Sequence, residues 1–286
     1  MGTPRLTLIG GPTVLIEYSG FRLLTDPTFD EPGEYKLPQV TLTKTTRPAL
    51  SIADIGPIDA VLLSHDQHAD NLDNAGRQFL SKAPRVFTTA AGAKRLGAHA
   101  EGLLPWRSAT LRKPDGRSIE ITAAPARHGP AGIESLAGDV IGFMLSVKNR
   151  ETGPVYITGD TVWYDGVAEV ARRFRADVVV LFAGSAQSRG PFHLTMDTND
   201  AIETAQAFPG AVIVPVHTDG WAHFKQNAED LQKAFDALGF GSRLQLLQPG
   251  IATPVSPLHY SRANTRLANQ PISSAIMAVA RPYNSP

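Results

Sequence analysis

Ten residues directly after an apolar run are rich in side chains that bind metals or transfer protons. The stretch SHDQHADNLD (64–73) contains two histidines, three aspartates, a glutamine and an asparagine, and it follows IDAVLL (58–63). Imidazole and carboxylate groups are donors that suit Zn²⁺, Mn²⁺ or Fe²⁺. The stretch is therefore either a polar loop with an ordinary helix cap or one half of a metal site.

Four titratable residues share a position, because each follows an apolar segment that is predicted to be a strand. They are His65 after AVLLS, His128 after ITAAPAR, Asp160 after VYITG and His217 after VIVPV. Ligands of α/β folds usually bind at the carboxyl ends of strands, so strands facing the same way would bring these side chains to one rim. One histidine at a strand end is more often an ordinary surface residue. Four such residues, with Asp70 nearby, favour a metal site.

Composition limits the other chemistry that the chain can perform. Its 286 residues include no cysteine, which excludes disulfides, thiolate zinc ligands and a cysteine nucleophile. Lys+Arg and Asp+Glu both number 27, so no basic field favours nucleic acid or anionic lipid. G-x-S-x-G, G-x-G-x-x-G and P-loop motifs are absent from the sequence. A small-molecule substrate is the expected partner, and homo-oligomerisation is left open.

The sequence predicts a cytoplasmic protein. The start is interrupted by Gly, Pro and Glu, unlike the core of a signal peptide. Leu6 occupies the position where a myristoylation signal has Ser or Thr. No segment approaches about 18 uncharged apolar residues, so we expect no membrane span.

Hydrophobic patterning predicts strands first and then strands alternating with helices. Residues 30–57 are predicted to form a long loop over one face, a length that usually has a functional reason. With no linker at mid-chain, one domain of two sheets flanked by helices is expected over 1–253. Residues 254–286 break the pattern and are predicted to be a peripheral or partly disordered tail. The predicted strands are RLTLIG, TVLIEY, FRLLTD, AVLLS, RVFTTA, SIEITAAPA, VIGFMLSV, PVYITGD, DVVVLFAG and AVIVPVH, and the predicted helices LDNAGRQFLSKA, AGAKRLGAHA, TMDTNDAIETAQAFPG and AEDLQKAFDALG.

Several segments, in the expected order from residue 5 to about 250, together resemble the metallo-β-lactamase fold family. IDAVLLSHDQHADNLD is similar to the family's strand, loop and helix, which usually carry His-x-His-x-Asp-His. LIGGPTVLIEYSGFRLLTDPTF resembles the opening of the branch that contains ascorbate-6-phosphate lactonase and N-acyl-phosphatidylethanolamine phospholipase D. ARHGP, YITGDT and PVHTDGWAHF carry the counterparts of a ligand histidine, the bridging aspartate and the final histidine, at His128, Asp160 and His217.

This resemblance implies an α/β (α+β) fold, a four-layer αββα sandwich with the metals in a cleft at the sheet edges. It implies hydrolysis of a small-molecule ester, lactone or phosphodiester by a metal-bound hydroxide, since a cation lowers the pKa of bound water from about 15.7 toward 7. The implied cofactors are one or two divalent ions, Zn²⁺ or Mn²⁺/Fe²⁺. The alternative is a non-catalytic or metal-poor member of the fold that binds a ligand or partner through the same cleft.

The stretch SHDQHADNLD departs from the family pattern. Counting from His65 places Gln67 at the second histidine position. Counting back from Asp70-Asn71 places Asp66 and His68 at the two histidine positions, and neither register supplies the closing histidine. A one-residue insertion inside the loop reconciles both ends and lets His68 take the place that Gln67 leaves.

Two unequal metal sites follow from this comparison. An amide oxygen such as that of Asn71 is a weaker donor than imidazole, so the second site is expected to be weaker or richer in oxygen, which favours Mn²⁺ or Fe²⁺. The expected ligands are His65, His68, His128 and shared Asp160 for site one, and Asp70, Asp160 and His217, with Asn71 as a marginal fourth, for site two.

By the same resemblance, His193 and Asp70 are the expected catalytic residues. His193 stands 24 residues before His217 and would polarise the scissile group or protonate the leaving oxygen. The alternative role of His193 is to cap the helix that starts near Asp197. The remaining candidates are Trp163 and His223 as substrate contacts and Asp26 as support for a ligand histidine through its second nitrogen.

Overall fold

Short strands dominate the first part of the chain because apolar and β-branched residues alternate between glycine-containing turns. The structure, a computed structural model, describes residues 3–37, 40–147 and 153–256. The elements of this part are β1 (Arg5–Gly10), β2 (Thr13–Tyr18), β3 (Phe21–Thr25), β4 (Gly33–Lys36), β5 (Thr41–Lys44), α1 (Ile52–Ile55), β6 (Ala60–Leu62), α2 (Asn74–Leu80), β7 (Val86–Thr89), α3 (Ala90–Leu96) and β8 (Ala100–Leu103).

Longer helices alternate with strands in the second part. The longest have clear start signals: the Asp197 and Asn227 side chains accept hydrogen bonds from the first free backbone amides of α6 and α7. The elements are β9 (Ser108–Arg112), β10 (Ser118–Pro125), α4 (Glu134–Ala137), β11 (Ile141–Val147), β12 (Val155–Ile157), α5 (Asp165–Arg173), β13 (Val178–Phe182), α6 (Thr198–Ala207), β14 (Val212–Val216), α7 (Ala228–Ala237), a 3₁₀ helix (Gly241–Arg243) and β15 (Thr253–Pro254).

Two sheets face each other across the main core. The first has the strand order β15-β1-β2-β3-β6-β7-β8, and the second β14-β13-β12-β11-β10-β9. Apolar side chains from both sheets fill the space between them, among them Leu23 and Phe87 from the first and Phe143 and Val180 from the second. Each such side chain contributes about 1.5–3 kcal/mol when it is fully buried.

Helices cover the outer face of each sheet. Helices α5, α6 and α7 pack on the second sheet, where Val170 and Phe235 are fully buried against Val179. Helices α1 and α2 pack on the first sheet, with Ile55 and Phe79 in its outer cluster. The four-layer αββα sandwich is therefore confirmed. Within the described ranges, no helix is both long and apolar enough to cross a membrane.

The structure differs from the sequence prediction between residues 30 and 57. The predicted loop contains the β4–β5 hairpin and the short helix α1. The hairpin is tied to the segment after β14, where Thr45 N donates to Gly220 O at 2.8 Å and Ala222 N donates to Thr43 O at 3.0 Å. These contacts join parts of the chain that are distant in sequence, so local periodicity gave no sign of them.

Several helices and strands were not predicted from the sequence, and most of the predicted C-terminal tail lies outside the described residues. Helix α5 and strands β8 and β9 were missed, although Val167 and Val170 of α5 have helical spacing. At the other end of the chain, β15 pairs with β1, so the first sheet extends to Pro254. The rest of the predicted tail, from 257 on, lies outside the described residues.

Candidate metal centre

The candidate site lies where the two sheets meet at one edge. His65, His68 and Asp70 follow β6 of the first sheet. The side chains contributed by the second sheet follow three of its strands: His128 after β10, Asp160 after β12 and His217 after β14. Backbone hydrogen bonds hold the edges together, since Ile141 N donates to Ser64 O at 3.1 Å and His217 N donates to Gly11 O at 2.8 Å.

Three histidines form the first cluster. The Nδ1 atom of His68 lies 3.0 Å from the Nε2 atom of His65 and 3.0 Å from the Nε2 atom of His128. A ring nitrogen carries either one proton or one lone pair, so Nδ1 of His68 cannot satisfy both neighbours by hydrogen bonding. Three convergent imidazole nitrogens of this kind fit a divalent cation.

Asp70, Asp160 and His217 form the second cluster. The Nδ1 atom of His217 lies 3.0 Å from Oδ1 of Asp160, and its Nε2 atom lies 3.6 Å from Oδ2 of Asp70. Even so, neither ring nitrogen of His217 nor Oδ2 of Asp160 has a hydrogen-bond partner of acceptable geometry among the described residues, although all three atoms are buried. Buried polar atoms normally find partners, so this set also fits a cation.

Asp160 lies between the two clusters. Its Oδ2 atom is 3.7 Å from Nε2 of His128 and 4.0 Å from Nε2 of His65, while its Oδ1 atom faces His217. One carboxylate can therefore present an oxygen to each cluster. Two cations about 3.5–4 Å apart are commonly bridged in this way in hydrolytic sites.

The outer nitrogens of the first cluster are held by the surrounding structure. Nδ1 of His65 lies 2.9 Å from Oγ of Ser64, which donates to Oδ1 of Asp26 at 2.7 Å. Asp26 thus supports His65 through Ser64 and not directly. Nδ1 of His128 lies 2.9 Å from Leu194 O and can only donate to that carbonyl. In both rings these contacts leave Nε2 as the nitrogen that faces the cluster.

The electrostatics of the first cluster favour neutral rings. Burial lowers the pKa of His65 well below its usual value, and burial together with the charge of His128 lowers the pKa of His68 to about 4. Neutral imidazole is the form that binds metal. Burial also raises the pKa of Asp26 to about 8, against the opposing effect of its hydrogen bonds from Ser64.

The second cluster holds charge instead. Burial acts against ionisation of His217, but the Asp160 and Asp70 carboxylates raise its pKa to about 10. Burial similarly opposes ionisation of the two carboxyls, yet the neighbouring imidazoles lower the pKa of both. The His217 and His223 rings do so for Asp70, and the His217 charge does so for Asp160. Two carboxylates thus hold one proton on a buried imidazole, and a cation could take the place of that proton.

The structure places His68, and not Asp66 or Gln67, against the other ring nitrogens. Asp66 pairs with Arg95, whose Nε lies 2.9 Å from Oδ2 of Asp66. The side chain of Gln67 packs against Gly138, where a Cβ atom would come within 2.4 Å of Nε2 of Gln67. Asn71 faces the second cluster, but its amide nitrogen donates to Oδ1 of Asp160 at 3.2 Å.

Asn71 is therefore a hydrogen-bond donor to the candidate ligand Asp160. The Oδ1 atom of Asn71 is buried and has no partner in the described parts of the chain. An amide that donates to Asp160 fixes the orientation of that carboxylate.

The remaining predicted residues lie in three different settings. His223 donates from Nε2 to Oδ2 of Asp70 at 2.9 Å, so it contacts a candidate ligand. His193 lies 3.2 Å from Oδ2 of Asp200 and 3.7 Å from Oδ2 of Asp197, at the start of α6. Trp163 packs against the core under α5 and α6. The structure thus brings His223, but neither His193 nor Trp163, into the wall of the central cleft.

The cleft beside the clusters is lined by both polar and apolar residues. Its cavity volume is about 10 Å³, which is room for about one water molecule. Leu42 of the β4–β5 hairpin and Arg189 are also among its lining residues. Arg189 was missed by the sequence analysis, because no motif surrounds it.

Comparisons with known proteins agree with this architecture. UPF0173 protein YddR of Bacillus subtilis (strain 168) is 26% identical over 255 residues, covering 86% of this chain and 97% of that protein. A UPF0173 metal-dependent hydrolase of Pelotomaculum thermopropionicum is 26% identical over 200 residues, covering 67% and 80%. The structure of isothiocyanate hydrolase from Delia radicum gut bacteria superposes with a TM-score of 0.74 at 23% identity, covering 88% of this chain and 99% of that one.

At that identity, the superposition shows the fold alone. Family membership follows from a separate match, in which residues 21–218 fit the model of the Beta-lactamase superfamily domain. The chain therefore belongs to the beta-lactamase superfamily and has the metallo-β-lactamase fold.

Proposed function

We propose that the protein is a metal-dependent hydrolase of a small-molecule ester, lactone or phosphodiester. The observation that carries the proposal is the pair of clusters that flank Asp160, in which several candidate ligand atoms have no hydrogen-bond partner within the described parts of the chain. The names of its relatives support it, since several are called metal-dependent hydrolases. The narrower resemblance to the lactonase and phospholipase D branch stays a prediction, as does a cytoplasmic location.

Each cluster offers a different donor set. His65, His68 and His128 would hold the first ion through three imidazoles, a set typical of Zn²⁺. Asp70, Asp160 and His217 would hold the second through carboxylates and one imidazole, which suits Mn²⁺ or Fe²⁺ better. When bound, such ions lower the pKa of water and stabilise negative charge that develops on a carbonyl or phosphoryl oxygen.

The protein's own groups position these donors. The Asp26–Ser64 pair and the Leu194 carbonyl orient the rings of His65 and His128. Asn71 and His223 orient the two carboxylates of the second cluster by hydrogen bonds. The net reaction adds water across the scissile bond: its oxygen bonds to the carbonyl carbon or phosphorus, and its proton passes to the leaving oxygen.

A general acid of the protein could deliver the proton to the leaving oxygen. His193 is kept as a candidate acid, although its ring is engaged by Asp197 and Asp200 in the structure. Asp70 is the carboxylate of the cleft wall, and it would act mainly as a metal ligand.

The experiment is elemental analysis of protein purified without chelator, followed by a screen of lactones, esters and bis(p-nitrophenyl) phosphate with Zn²⁺, Mn²⁺ and Fe²⁺. We expect at least about one equivalent of metal per chain. His68→Ala should lower this content and abolish turnover, whereas the exposed His99→Ala is the matched control. Metal-poor protein that gains no activity on addition of these ions would favour the non-catalytic, ligand-binding alternative.

A further inference from the structure

Arg189 is a cation in the wall of the cleft that has no acidic partner among the described residues. It is half-buried and lines the cleft together with His68, Asp70 and His128. In the part of the chain that the structure describes, no carboxylate oxygen lies within 4.0 Å of its guanidinium nitrogens. Arg95 shows the usual arrangement, because it pairs with the buried carboxylate of Asp66.

The loop that carries Arg189 is anchored beside the second cluster. Ser185 N donates to Met196 O at 3.0 Å and Leu194 N donates to Ala186 O at 2.8 Å, so both ends of the loop are tied together. Gln187 N donates to the backbone oxygen of His223 at 2.9 Å. A cation on a loop fixed in this way loses less entropy when it binds a ligand than one on a free loop.

We infer that Arg189 binds an anionic group of the substrate, a carboxylate or a phosphate, while the scissile bond lies against the two clusters. The inference deepens the proposed function and rests on it. An arginine beside a centre that binds divalent cations is repelled unless an anion lies between them. The planar guanidinium matches carboxylate and phosphate oxygens in a bidentate contact.

The remaining lining indicates what else the substrate carries. The cleft is also lined by four apolar side chains, those of Leu37, Val40, Leu42 and Leu194. Leu42 and Leu194 are buried, whereas Leu37 is 38% exposed. The substrate class is therefore a small ester, lactone or phosphodiester with one anionic group and a short apolar part. Since the cavity volume is only about 10 Å³, such a substrate must displace some of these lining side chains.

The test compares two esters of similar size, neutral 4-nitrophenyl butyrate and anionic mono-4-nitrophenyl glutarate, with metal-loaded protein. Arg189→Gln should lower the ratio of kcat/KM for the anionic ester to that for the neutral ester by about 10- to 100-fold, the effect of one charge-assisted hydrogen bond. Arg189→Lys should restore part of the ratio, and the exposed Arg175→Gln is the matched control. An unchanged ratio in Arg189→Gln overturns the inference.

A second set of measurements identifies the bound anion as carboxylate or phosphate. It also tests the role of Arg189 independently of the proposed hydrolase activity. In calorimetry, a larger loss of affinity for inorganic phosphate than for glutarate in Arg189→Gln would assign phosphate as the bound group. If the wild-type protein hydrolyses none of these compounds, the proposed function fails while Arg189 can still be tested. Calorimetry with glutarate and with inorganic phosphate should then give affinities at least about 10-fold weaker for Arg189→Gln. Equal affinities of wild type and variant for both anions would overturn the role of Arg189.

Discussion

Replacing His223 should weaken the second metal site and leave the first one intact. His223 is almost buried and donates from Nε2 to Oδ2 of Asp70 at 2.9 Å, and Asp70 belongs to the second cluster only. In His223→Ala the carboxylate loses one charge-assisted hydrogen bond, worth about 1.5–3 kcal/mol. That energy corresponds to about 10- to 150-fold in affinity, since each 1.4 kcal/mol is about a factor of ten.

The assay is calorimetric titration of metal-free protein with Mn²⁺, supported by elemental analysis after dialysis. Wild-type protein should show a tight and a weaker equivalent, and His223→Ala should lose affinity in one of them alone. His223→Gln retains an N–H donor, so it should recover part of the affinity, and His99→Ala controls for the loss of an exposed imidazole. The reasoning is refuted if His223→Ala binds both equivalents like the wild type, or if both weaken equally.

Two further predictions concern stability. Nζ of Lys44 lies 2.9 Å from Oδ2 of Asp73 in a buried ion pair, and Lys44→Met leaves that carboxylate without its cation. The free energy of unfolding in urea should therefore fall by about 3–5 kcal/mol. An unchanged midpoint of the urea transition would contradict this. His193 should stabilise the fold at low pH, because its hydrogen bond to Asp200 raises its pKa. The melting-temperature difference between wild type and His193→Ala should be largest below about pH 6.5 and shrink as pH rises through the folded-state pKa; a difference that grows with pH would contradict it.

The sequence could predict which polar side chains of the site follow the ends of strands. Apolar runs are long enough to mark β6, β10, β12 and β14, and ligand-binding residues commonly follow such strands. The structure brings the side chains after all four together, and their role as metal ligands stays a prediction. The αββα architecture could be predicted because the same apolar runs mark the strands, and the family resemblance supported it.

The details inside the loops depended on contacts that no local pattern contains. Two registers of SHDQHADNLD were open from spacing alone, and packing separates them, because Asp66 is drawn to Arg95 and Gln67 is wedged against Gly138. His223 and Asp70 are 153 residues apart. The β4–β5 hairpin is likewise held by contacts to the segment after β14. Helix α5 depends on no such contact, because Val167 and Val170 have helical spacing that local periodicity can show.

The split origin of the two clusters has a consequence for the whole sandwich. His65, His68 and Asp70 come from the first sheet, whereas His128, Asp160 and His217 come from the second. A cation held by both sets is a cross-link between the two halves of the molecule. Anything that binds only the folded chain stabilises it by mass action, about 2.7 kcal/mol at a free concentration of 100 Kd. With the proposed cations bound, the cohesion of the two sheets would depend on the supply of metal in the surrounding solution.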